Sequence, residues 1–340
     1  MKKVIIHHRS SHHSEYSGYA KLINYIDDAE VISGENSILS ERLARFVKRY
    51  CPQNFGGYDS VSAKKNEELL RKFLFSRNKN ILIHYLNGER DIRQAINFLP
   101  KKIVNIATFH KTPTVLATEF NNLKYFQKLD GAIAVGINQV DFLKKWLNTE
   151  NVVYIPHGVD TDFFVPDYSK RKEKSLLFVG QHLRDFEVLN YTIPFLVDKV
   201  HNLEINVVLK QKFQKKIIEH KSVNIFSGVD DITLREMYQK ASLLFLPLTD
   251  VTACNSILEA MACGLPIVTT DLEGNRGYGL NEYNSFLVPK NDYSALLDTT
   301  LYAINKDTAH MAIETRENAL KFSWNKIGLE VNKFYEQLKR

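Results

Sequence analysis

Residues 250–271 read DVTACNSILEAMACGLPIVTTD, and this stretch decides how the second half of the chain folds. The apolar run 243–248 predicts a buried strand before it, and the run 266–270 predicts a second strand at its end. Between them, Asn255 or Ser256 supplies a side-chain oxygen that can begin a helix, and Gly264 can end it because glycine tolerates positive φ. The pattern therefore predicts a strand, a polar loop, a short helix and a further parallel strand.

The start of this helix is a candidate anion site. Free amides and the helix dipole favour a phosphate or pyrophosphate there, and open α/β sheets bind ligands at the carboxyl ends of their strands. The amides of Asn255, Ser256 and Ile257 are therefore candidates for binding a diphosphate. Ser256 and Glu259 also have the Ser-x-x-Glu spacing of a capping box, in which the glutamate only reaches back to the first amide. Spacing alone does not decide between a ligand-binding and a structural role for Glu259.

Two stretches carry a family resemblance. The run LEAMACGLPIV, residues 258–268, resembles the signature of retaining, nucleotide-sugar-dependent glycosyltransferases of family four. The run VVYIPHGVDTDFFVP, residues 152–166, resembles the segment that ends the N-terminal domain of these enzymes. The resemblance implies the GT-B fold, in which two Rossmann-like, doubly wound α/β domains face each other across a cleft. It also implies that Glu259 binds the ribose hydroxyls of the donor, while amides of the loop before the helix hold the diphosphate and sugar.

One position departs from the family pattern. Family members commonly carry another glutamate eight residues before the one that matches Glu259, and this chain has Val251 there. Asp250 could replace that carboxylate only if the loop shifts. The departure motivates an alternative hypothesis, in which the protein is a catalytically silent scaffold that binds nucleotide sugars.

Composition limits the function classes. A chain of 340 residues with 44% hydrophobic and 25% charged residues is typical of two soluble globular domains. Apolar runs fall short of the roughly 18 residues of a membrane span, and the first residues lack the apolar core of a signal peptide. The three cysteines are too few for a disulfide framework, so we expect a cytoplasmic protein. The net charge of +6 is scattered, which argues against a nucleic-acid partner but leaves peripheral contact with the inner face of an anionic membrane open.

The domain boundary is predicted in the charged stretch 167–174. Residues 1–166 then form an acceptor-side Rossmann-like domain, and residues 167–322 form the domain that binds the nucleotide-sugar donor. The resemblance implies that a C-terminal helix, 323–340, packs back on the first domain, with Trp324 as its anchor.

Two loops of the second domain carry candidate cations. The predicted strand 175–179 leads through Gly180 to His182 and Arg184, and the predicted strand 204–209 leads to Lys210. The resemblance implies that basic residues of the first loop bind the donor diphosphate, whose negative charge grows as the glycosidic bond breaks. Arg184 could instead pair with Asp185 or Glu187. Lys210 could be a second phosphate ligand or only the first residue of a basic helix over 210–221.

The first domain has its candidates near predicted strand ends. His12 and Gly18 follow the first strand and are predicted to lie at the cleft, and Asn87 follows the strand 81–84. The histidines between 7 and 13 lack a cysteine or carboxylate at ligand spacing, so we predict no metal site.

His110 follows the strand 102–108. A lone histidine at a strand end could simply cap or pack. The segment ATFHKTP, however, resembles the family's strand-end histidine, which implies that His110 orients the sugar or the acceptor rather than acting as a covalent nucleophile.

With the resemblance, these features predict a glycosyltransferase that moves a sugar from a UDP- or GDP-sugar to a saccharide or a lipid-linked acceptor in glycan or cell-surface polysaccharide synthesis. The resemblance implies that the transfer is retaining. No cofactor is required, because cations and helix amides can carry the diphosphate. The alternative enzyme is a nucleotide-sugar epimerase of the same fold, which would need a carboxylate acid and base that the sequence does not reveal.

Overall fold

The computed structural model describes residues 1–7, 16, 18–50, 59–77, 80–120 and 123–338. The chain divides into two units. The first comprises residues 1–12, 19–156 and 327–340, and the second comprises residues 13–18 and 157–326. Each unit is built on one six-stranded parallel sheet.

The sheet of the first unit has the strand order β2-β1-β3-β4-β5-β6. Its strands are β1 (Lys2–Ile6), β2 (Ala29–Ile32), β3 (Ile81–Tyr85), β4 (Val104–Phe109), β5 (Gly131–Ala134) and β6 (Val152–Tyr154). Every residue of β3 and β4 is buried, as expected for central strands of a parallel sheet that helices cover on both faces. The winding direction changes between β1 and β3, so ligand-binding loops are expected at the carboxyl ends of these two strands.

In the described residues before the division at Pro156, the structure has five α-helices. They are α1 (Glu41–Tyr50), α2 (Ser60–Phe73), α3 (Gly88–Asp91), α4 (Pro113–Glu119) and α5 (Val140–Leu147).

The sheet of the second unit has the order β12-β11-β10-β7-β8-β9. Its strands are β7 (Ser175–Val179), β8 (Glu204–Val208), β9 (Val223–Phe226), β10 (Leu243–Leu246), β11 (Ile267–Thr270) and β12 (Ser285–Val288). Read from β9, this is the Rossmann order, and its winding direction changes between β7 and β10. The prediction of two Rossmann-like, doubly wound sheets is therefore confirmed.

Aspartate side chains cap the N-termini of several helices in the second unit. The helices are α6 (Phe186–Lys199), α7 (Asp231–Lys240), α8 (Asn255–Ala262), α9 (Glu273–Gly277), α10 (Tyr293–Asn305) and α11 (Ala309–Ala319). Asp185, Asp230 and Asp292 precede α6, α7 and α10, and each accepts a hydrogen bond from an amide of the first turn. Such caps satisfy donors that have no partner within the helix.

The last helix, α12 (Trp324–Gln337), crosses the division between the units. Trp324 belongs to the second unit, where its ring lies against Gly158 so closely that an added Cβ would be 2.5 Å from it. Tyr335 belongs to the first unit, where its hydroxyl lies 2.6 Å from Nδ1 of His84. Gly158 lies within residues 1–166, the predicted first domain, so the expectation that Trp324 anchors the helix there stays a prediction.

The observed division falls after Pro156, whereas the sequence placed the boundary after Pro166. The intervening residues pack in the second unit. The amide of Val159 donates to the carbonyl of Phe322 at 2.9 Å, and the buried ring of Phe164 contacts Tyr238 edge-on. Within the described ranges, no helix is both long and apolar enough to span a membrane.

Candidate functional site

Two loops meet at the point where the second sheet changes its winding direction. One follows β7 and the other follows β10, and backbone hydrogen bonds of 3.0 Å join Asp185 to Pro247 and Thr249 to Leu183. Gly180 has φ +91 and Leu183 has φ +56, so two left-handed residues turn the first loop back toward its own strand. This turn places Arg184 beside the end of β7.

The guanidinium of Arg184 joins the end of β7 to the start of α8. Its Nε donates to the carbonyl of Val179 at 2.9 Å, and its Nη1 donates to the carbonyl of His182 at 2.9 Å. Its Nη2 lies 3.1 Å from Oγ of Ser256 and 3.4 Å from Sγ of Cys254. A fixed positive charge therefore stands next to the positive end of a helix dipole, which is the arrangement that an anion favours.

The acidic neighbours of Arg184 interact with other residues. The carboxylate of Asp185 accepts from the amide of Val188 at 3.0 Å and caps α6. The charge of Glu187 acts on Tyr293, where it adds to desolvation in raising the pKa of the phenol. The alternative prediction, a surface ion pair of Arg184 with these residues, is wrong.

Helix α8 begins at Asn255, as predicted, but its cap residue is Cys254. Ser256 lies inside the helix, and its Oγ is 3.3 Å from the carbonyl of Val179 as well as close to Arg184. The capping-box interpretation required Ser256 to be the cap, and it is wrong for that reason. The helix ends at Ala262, and Gly264 adopts φ +59 just beyond it.

The carboxylate of Glu259 is buried and held by a tyrosine. The hydroxyl of Tyr238 donates to Oε2 of Glu259 at 2.8 Å. Burial, followed by the charge of Glu259, raises the pKa of Tyr238 well above its usual value, so the phenol stays protonated and remains a donor. Sequence analysis missed Tyr238, because it stands in α7 without any motif around it. Phe164 packs on Tyr238 and connects the 152–166 stretch to this carboxylate.

Val251, where the family commonly has a glutamate, is buried in the core of the second unit. Gly274 packs against it, since an added Cβ there would lie 2.5 Å from the carbonyl oxygen of Val251. Asp250 uses Oδ1 to accept from the amide of Val251 at 2.8 Å. The carboxylate of Asp250 therefore fixes its own loop.

Lys210 and His182 lie in loops at the same sheet edge. Lys210 is half-buried, and its amide is 3.4 Å from Oε1 of Gln181 in the β7 loop. Desolvation and the nearby charge of Lys212 lower the pKa of Lys210. The predicted basic helix over 210–221 is wrong, because the structure has only a short 3-10 helix there, Gln211–Lys216. His182 is exposed and contacts Arg184 through its carbonyl.

In the first unit, Asn87 caps α3, since its Oδ1 accepts from the amide of Arg90 at 3.0 Å. Gly18 lies just before a 3-10 helix, Tyr19–Tyr25. His12, the third predicted cleft residue, lies outside the described residues, as does most of the histidine-rich stretch. Among the residues that the structure describes, no group of three His, Cys, Asp or Glu side chains is arranged to hold a metal ion.

His110 is half-buried and oriented by its surroundings. Its Nε2 lies 2.8 Å from the carbonyl of Leu86, so this nitrogen carries the proton and donates it. Its ring meets the edge of Tyr19 at 4.7 Å between centroids. The buried Oε1 of Glu89 accepts from the amides of His110 and Lys111, which fixes the backbone of the loop.

A buried polar chain lies beneath His110. Nε2 of His84 is 2.8 Å from Oγ1 of Thr108, which is itself 3.1 Å from the hydroxyl of Tyr19. Burial, aided by the charge of His110, lowers the pKa of His84 to about 3, so this imidazole is neutral at ordinary pH. The sequence offered no signal for this chain, because its members come from distant positions.

Parts of the chain are similar in sequence to known proteins. Residues 173–306, within the second unit, match the family described as Glycosyl transferases group 1. Over 253 residues the chain is 24% identical to the phosphatidyl-myo-inositol mannosyltransferase of Mycolicibacterium smegmatis, an alignment that covers 68% of this chain and 64% of that relative. A mannosyltransferase of the same description from Mycobacterium leprae is also 24% identical, with 68% and 66% covered.

Solved structures match almost the whole chain. Sucrose-phosphate synthase from Thermosynechococcus elongatus superposes with a TM-score of 0.73 at 16% identity, covering 99% of both chains. Anabaena HepE in complex with UDP-glucose superposes with a TM-score of 0.70 at 13% identity, covering 99% of this chain and 100% of the other. The chain therefore has the GT-B fold. The similarity to group 1 glycosyl transferases covers residues 173–306, and the named relatives are 24% identical to this chain.

Proposed function

We propose that the protein transfers a sugar from a nucleoside-diphosphate sugar to an acceptor. The observation that carries this proposal is the position of Arg184, whose guanidinium is fixed beside Ser256 at the start of α8. The cation and the first amides of α8, at Asn255, Ser256 and Ile257, are suited to a diphosphate. Glu259 is one turn further along the same helix, where its carboxylate is suited to the ribose hydroxyls.

The same groups explain how the leaving group is stabilised. As the bond between sugar and diphosphate breaks, negative charge grows on the phosphate, and a cation that is already fixed stabilises that charge without reorganising. Lys210, half-buried at the neighbouring strand end, adds a second positive charge. His182 lies in the same loop as Arg184. No metal is needed for this role. Because HepE was solved with UDP-glucose, a UDP-sugar is the first donor to test.

The acceptor in this proposal is a saccharide or a lipid-linked sugar. Two relatives are named as mannosyltransferases of phosphatidyl-myo-inositol, which supports a lipid acceptor. We assign His110 of the first unit the role of orienting the sugar or the acceptor, since the contact of its Nε2 with the carbonyl of Leu86 holds the ring in place. Asn87, Gly18 and His12 are assigned to the same side of the reaction. Retention of the anomeric configuration requires no pair of protein carboxylates if the leaving phosphate accepts the proton of the attacking hydroxyl.

A transfer assay tests the proposal directly. The purified protein is incubated with labelled UDP- and GDP-sugars, with phosphatidylinositol and with a panel of saccharides as acceptors. The expected result is transfer from one donor, and NMR of the product should show the same anomeric configuration as in the donor. Inversion would contradict the retaining mechanism.

The buried Val251 favours one second candidate, a protein that binds nucleotide sugars without transferring them. A tight complex with a nucleoside diphosphate, together with the absence of both transfer and donor hydrolysis over the panel, would favour that candidate. Turnover of any donor would exclude it.

A further inference from the structure

A cavity of about 750 Å³ lies at the edge of the second sheet opposite the donor site. Lys174 and Ser242 line it and directly precede β7 and β10, whereas the loop of Arg184 follows the end of β7. Small-molecule sites have volumes of about 300 to 1,000 Å³. The cavity is therefore large enough for a small ligand, and it is separate from the proposed donor site.

The cavity lies within the second unit, between residues 168–174 and the connection from α10 to α11. Part of its lining is apolar and includes Ile304 and Ile313. Among the described residues, the charged side chains of the lining are Arg171, Lys172, Lys174, Lys306, Glu173 and Asp307. The four cations outnumber the two carboxylates, so the lining is positively charged.

Two of these charged groups are already engaged. Lys172 pairs with Glu204 at 3.4 Å. The carboxylate of Asp307 accepts from the amide of Ala309 at 2.9 Å, next to the start of α11. These contacts leave three cations of the lining to be accounted for.

The three remaining cations have no carboxylate partner. In the described part of the chain, neither Arg171, Lys174 nor Lys306 forms an ion pair. The ammonium of Lys306 lies over the ring of Tyr302, 5.2 Å from its centroid. The positive charge of the cavity is therefore not neutralised by the protein.

The guanidinium of Arg171 is half-buried. Its Nη1 and Nη2 donate to the carbonyls of Gly264 and Cys263 at 3.1 and 3.4 Å, and its buried Nε has no hydrogen-bond partner within the described chain. Burial lowers the pKa of Arg171, because it removes the charged form from water. Buried charges in proteins are normally paired, so an anion in the cavity would supply the missing counterion.

We propose that this cavity binds a phosphate group, carried by a small organic molecule. A phosphate monoester has close to two negative charges and about three acceptor oxygens near neutral pH, which suits the three cations Arg171, Lys174 and Lys306. The apolar surface of Ile304 and Ile313 suits the organic part. The site does not rest on the proposed transferase activity, because it shares no residue with the donor site.

Isothermal titration of the full chain with phenyl phosphate and with inorganic phosphate tests the proposal. Arg184→Gln is the starting variant, so that the fixed cation of the donor site does not contribute. Phenyl phosphate should bind this variant with one-to-one stoichiometry. Adding Lys174→Gln or Lys306→Gln should lower the affinity about fivefold, the effect of one partly exposed ion pair. Adding Ile313→Ser should lower it about threefold for phenyl phosphate alone.

Lys221→Gln is the matched control, since Lys221 is an exposed lysine of the same unit that does not line the cavity. It should leave the affinity for phenyl phosphate unchanged. With Arg184 intact, Lys174→Gln should bind UDP as the wild type does, which separates failure of this site from failure of the donor site.

Three results would overturn the proposal. They are an absence of binding by both probes at millimolar concentration, binding that Lys174→Gln and Lys306→Gln leave unchanged, and equal losses in Lys221→Gln and Lys174→Gln. The last result would show only a general attraction of anions to a basic surface. Tighter binding of phenyl phosphate than of inorganic phosphate would assign the site to a phosphate ester, whereas equal affinities would assign it to free phosphate.

Discussion

The guanidinium of Arg184 is held in place before a ligand arrives, because the carbonyls of Val179 and His182 accept two of its donors. Its third contact, with Ser256, directs the charge toward the start of α8. The position of Arg184 in a loop at the sheet edge could be predicted from the sequence, since the loop follows an apolar strand and resembles the family pattern. Its fixed orientation could not, because it depends on left-handed turns at Gly180 and Leu183.

Replacing Arg184 should separate phosphate binding from nucleoside binding. Arg184→Gln removes a charged donor to the diphosphate, and a hydrogen bond to a charged group contributes about 1.5 to 3 kcal/mol. We expect the affinity for the nucleoside diphosphate to fall roughly tenfold to a hundredfold by isothermal titration, with the affinity for the nucleoside nearly unchanged. Arg71→Ala, which removes an exposed arginine of α2, is the control. Equal losses for diphosphate and nucleoside would argue against the phosphate role.

Tyr238 should act on ribose recognition through Glu259. Tyr238→Phe removes the hydroxyl that holds Oε2, so the carboxylate loses its orientation while the aromatic packing on Phe164 is kept. We expect the preference for a nucleoside diphosphate over its 2′-deoxy analogue to shrink several-fold, and Glu259→Gln to reduce it further. If Tyr238→Phe lowers the melting temperature but leaves this preference intact, Tyr238 has only a structural role.

Among the elements, α8 and α7 differ in how much their sequences reveal. The end of α8 followed from Gly264, because a glycine stop is a local signal, whereas the start was predicted at the right place although the cap is Cys254, which makes no side-chain capping bond. The function of α7 was hidden, because the contact between Tyr238 and Glu259 is tertiary. In the basic stretch 210–221, the sequence predicted a helix that the structure does not have. A composition that suits a helix gave only a 3-10 helix there, Gln211–Lys216, and Ile217 after it is extended.

Adding a side chain at Gly264, just after the end of α8, should destabilise the fold. Its φ is +59, and an added Cβ would lie 2.7 Å from the hydroxyl of Tyr168 and 3.1 Å from the carbonyl of Ala312. We expect Gly264→Ala to lower the free energy of unfolding by about 2 to 4 kcal/mol in urea titration, from backbone strain plus overpacking.

Gly228→Ala is the matched control, since Gly228 has φ +68 but no atom within 4 Å of the added Cβ. Gly228→Ala should lower the free energy of unfolding by about 1 kcal/mol, from backbone strain alone. Equal losses for the two variants would show that packing around Gly264 does not contribute.

At the scale of the whole molecule, the two-sheet architecture could be predicted because strands and helices alternate along the chain. The division after Pro156 could not, since it depends on Val159 and Phe164 packing in the second unit. The buried chain of His84, Thr108, Tyr19 and Tyr335 could not be predicted from the sequence either, because it joins four strands and helices that are separate in the chain.

The neutral state of His84 should make the first unit sensitive to acid. Its pKa is lowered from 6.5 to about 3 in the folded state by burial, so between these values the unfolded chain binds a proton that the folded chain does not. Stability is therefore full above pH 6.5 and falls toward pH 3, with this group contributing a slope of about 1.4 kcal/mol per pH unit. In urea unfolding between pH 7 and pH 5, the free energy of unfolding should change less steeply with pH in His84→Gln than in the wild type. The slope should be unchanged in His310→Gln, which alters an exposed histidine. An identical slope in His84→Gln would contradict the assignment.

The most direct test of the central claim is isothermal titration of the intact protein with UDP, GDP and ADP, and with the corresponding nucleosides, in the presence and absence of magnesium. The site at Arg184, α8 and Glu259 predicts that one nucleoside diphosphate binds much more tightly than its nucleoside, with little dependence on magnesium. Failure of every diphosphate to bind a folded sample, or affinities equal to those of the nucleosides, would contradict the donor site.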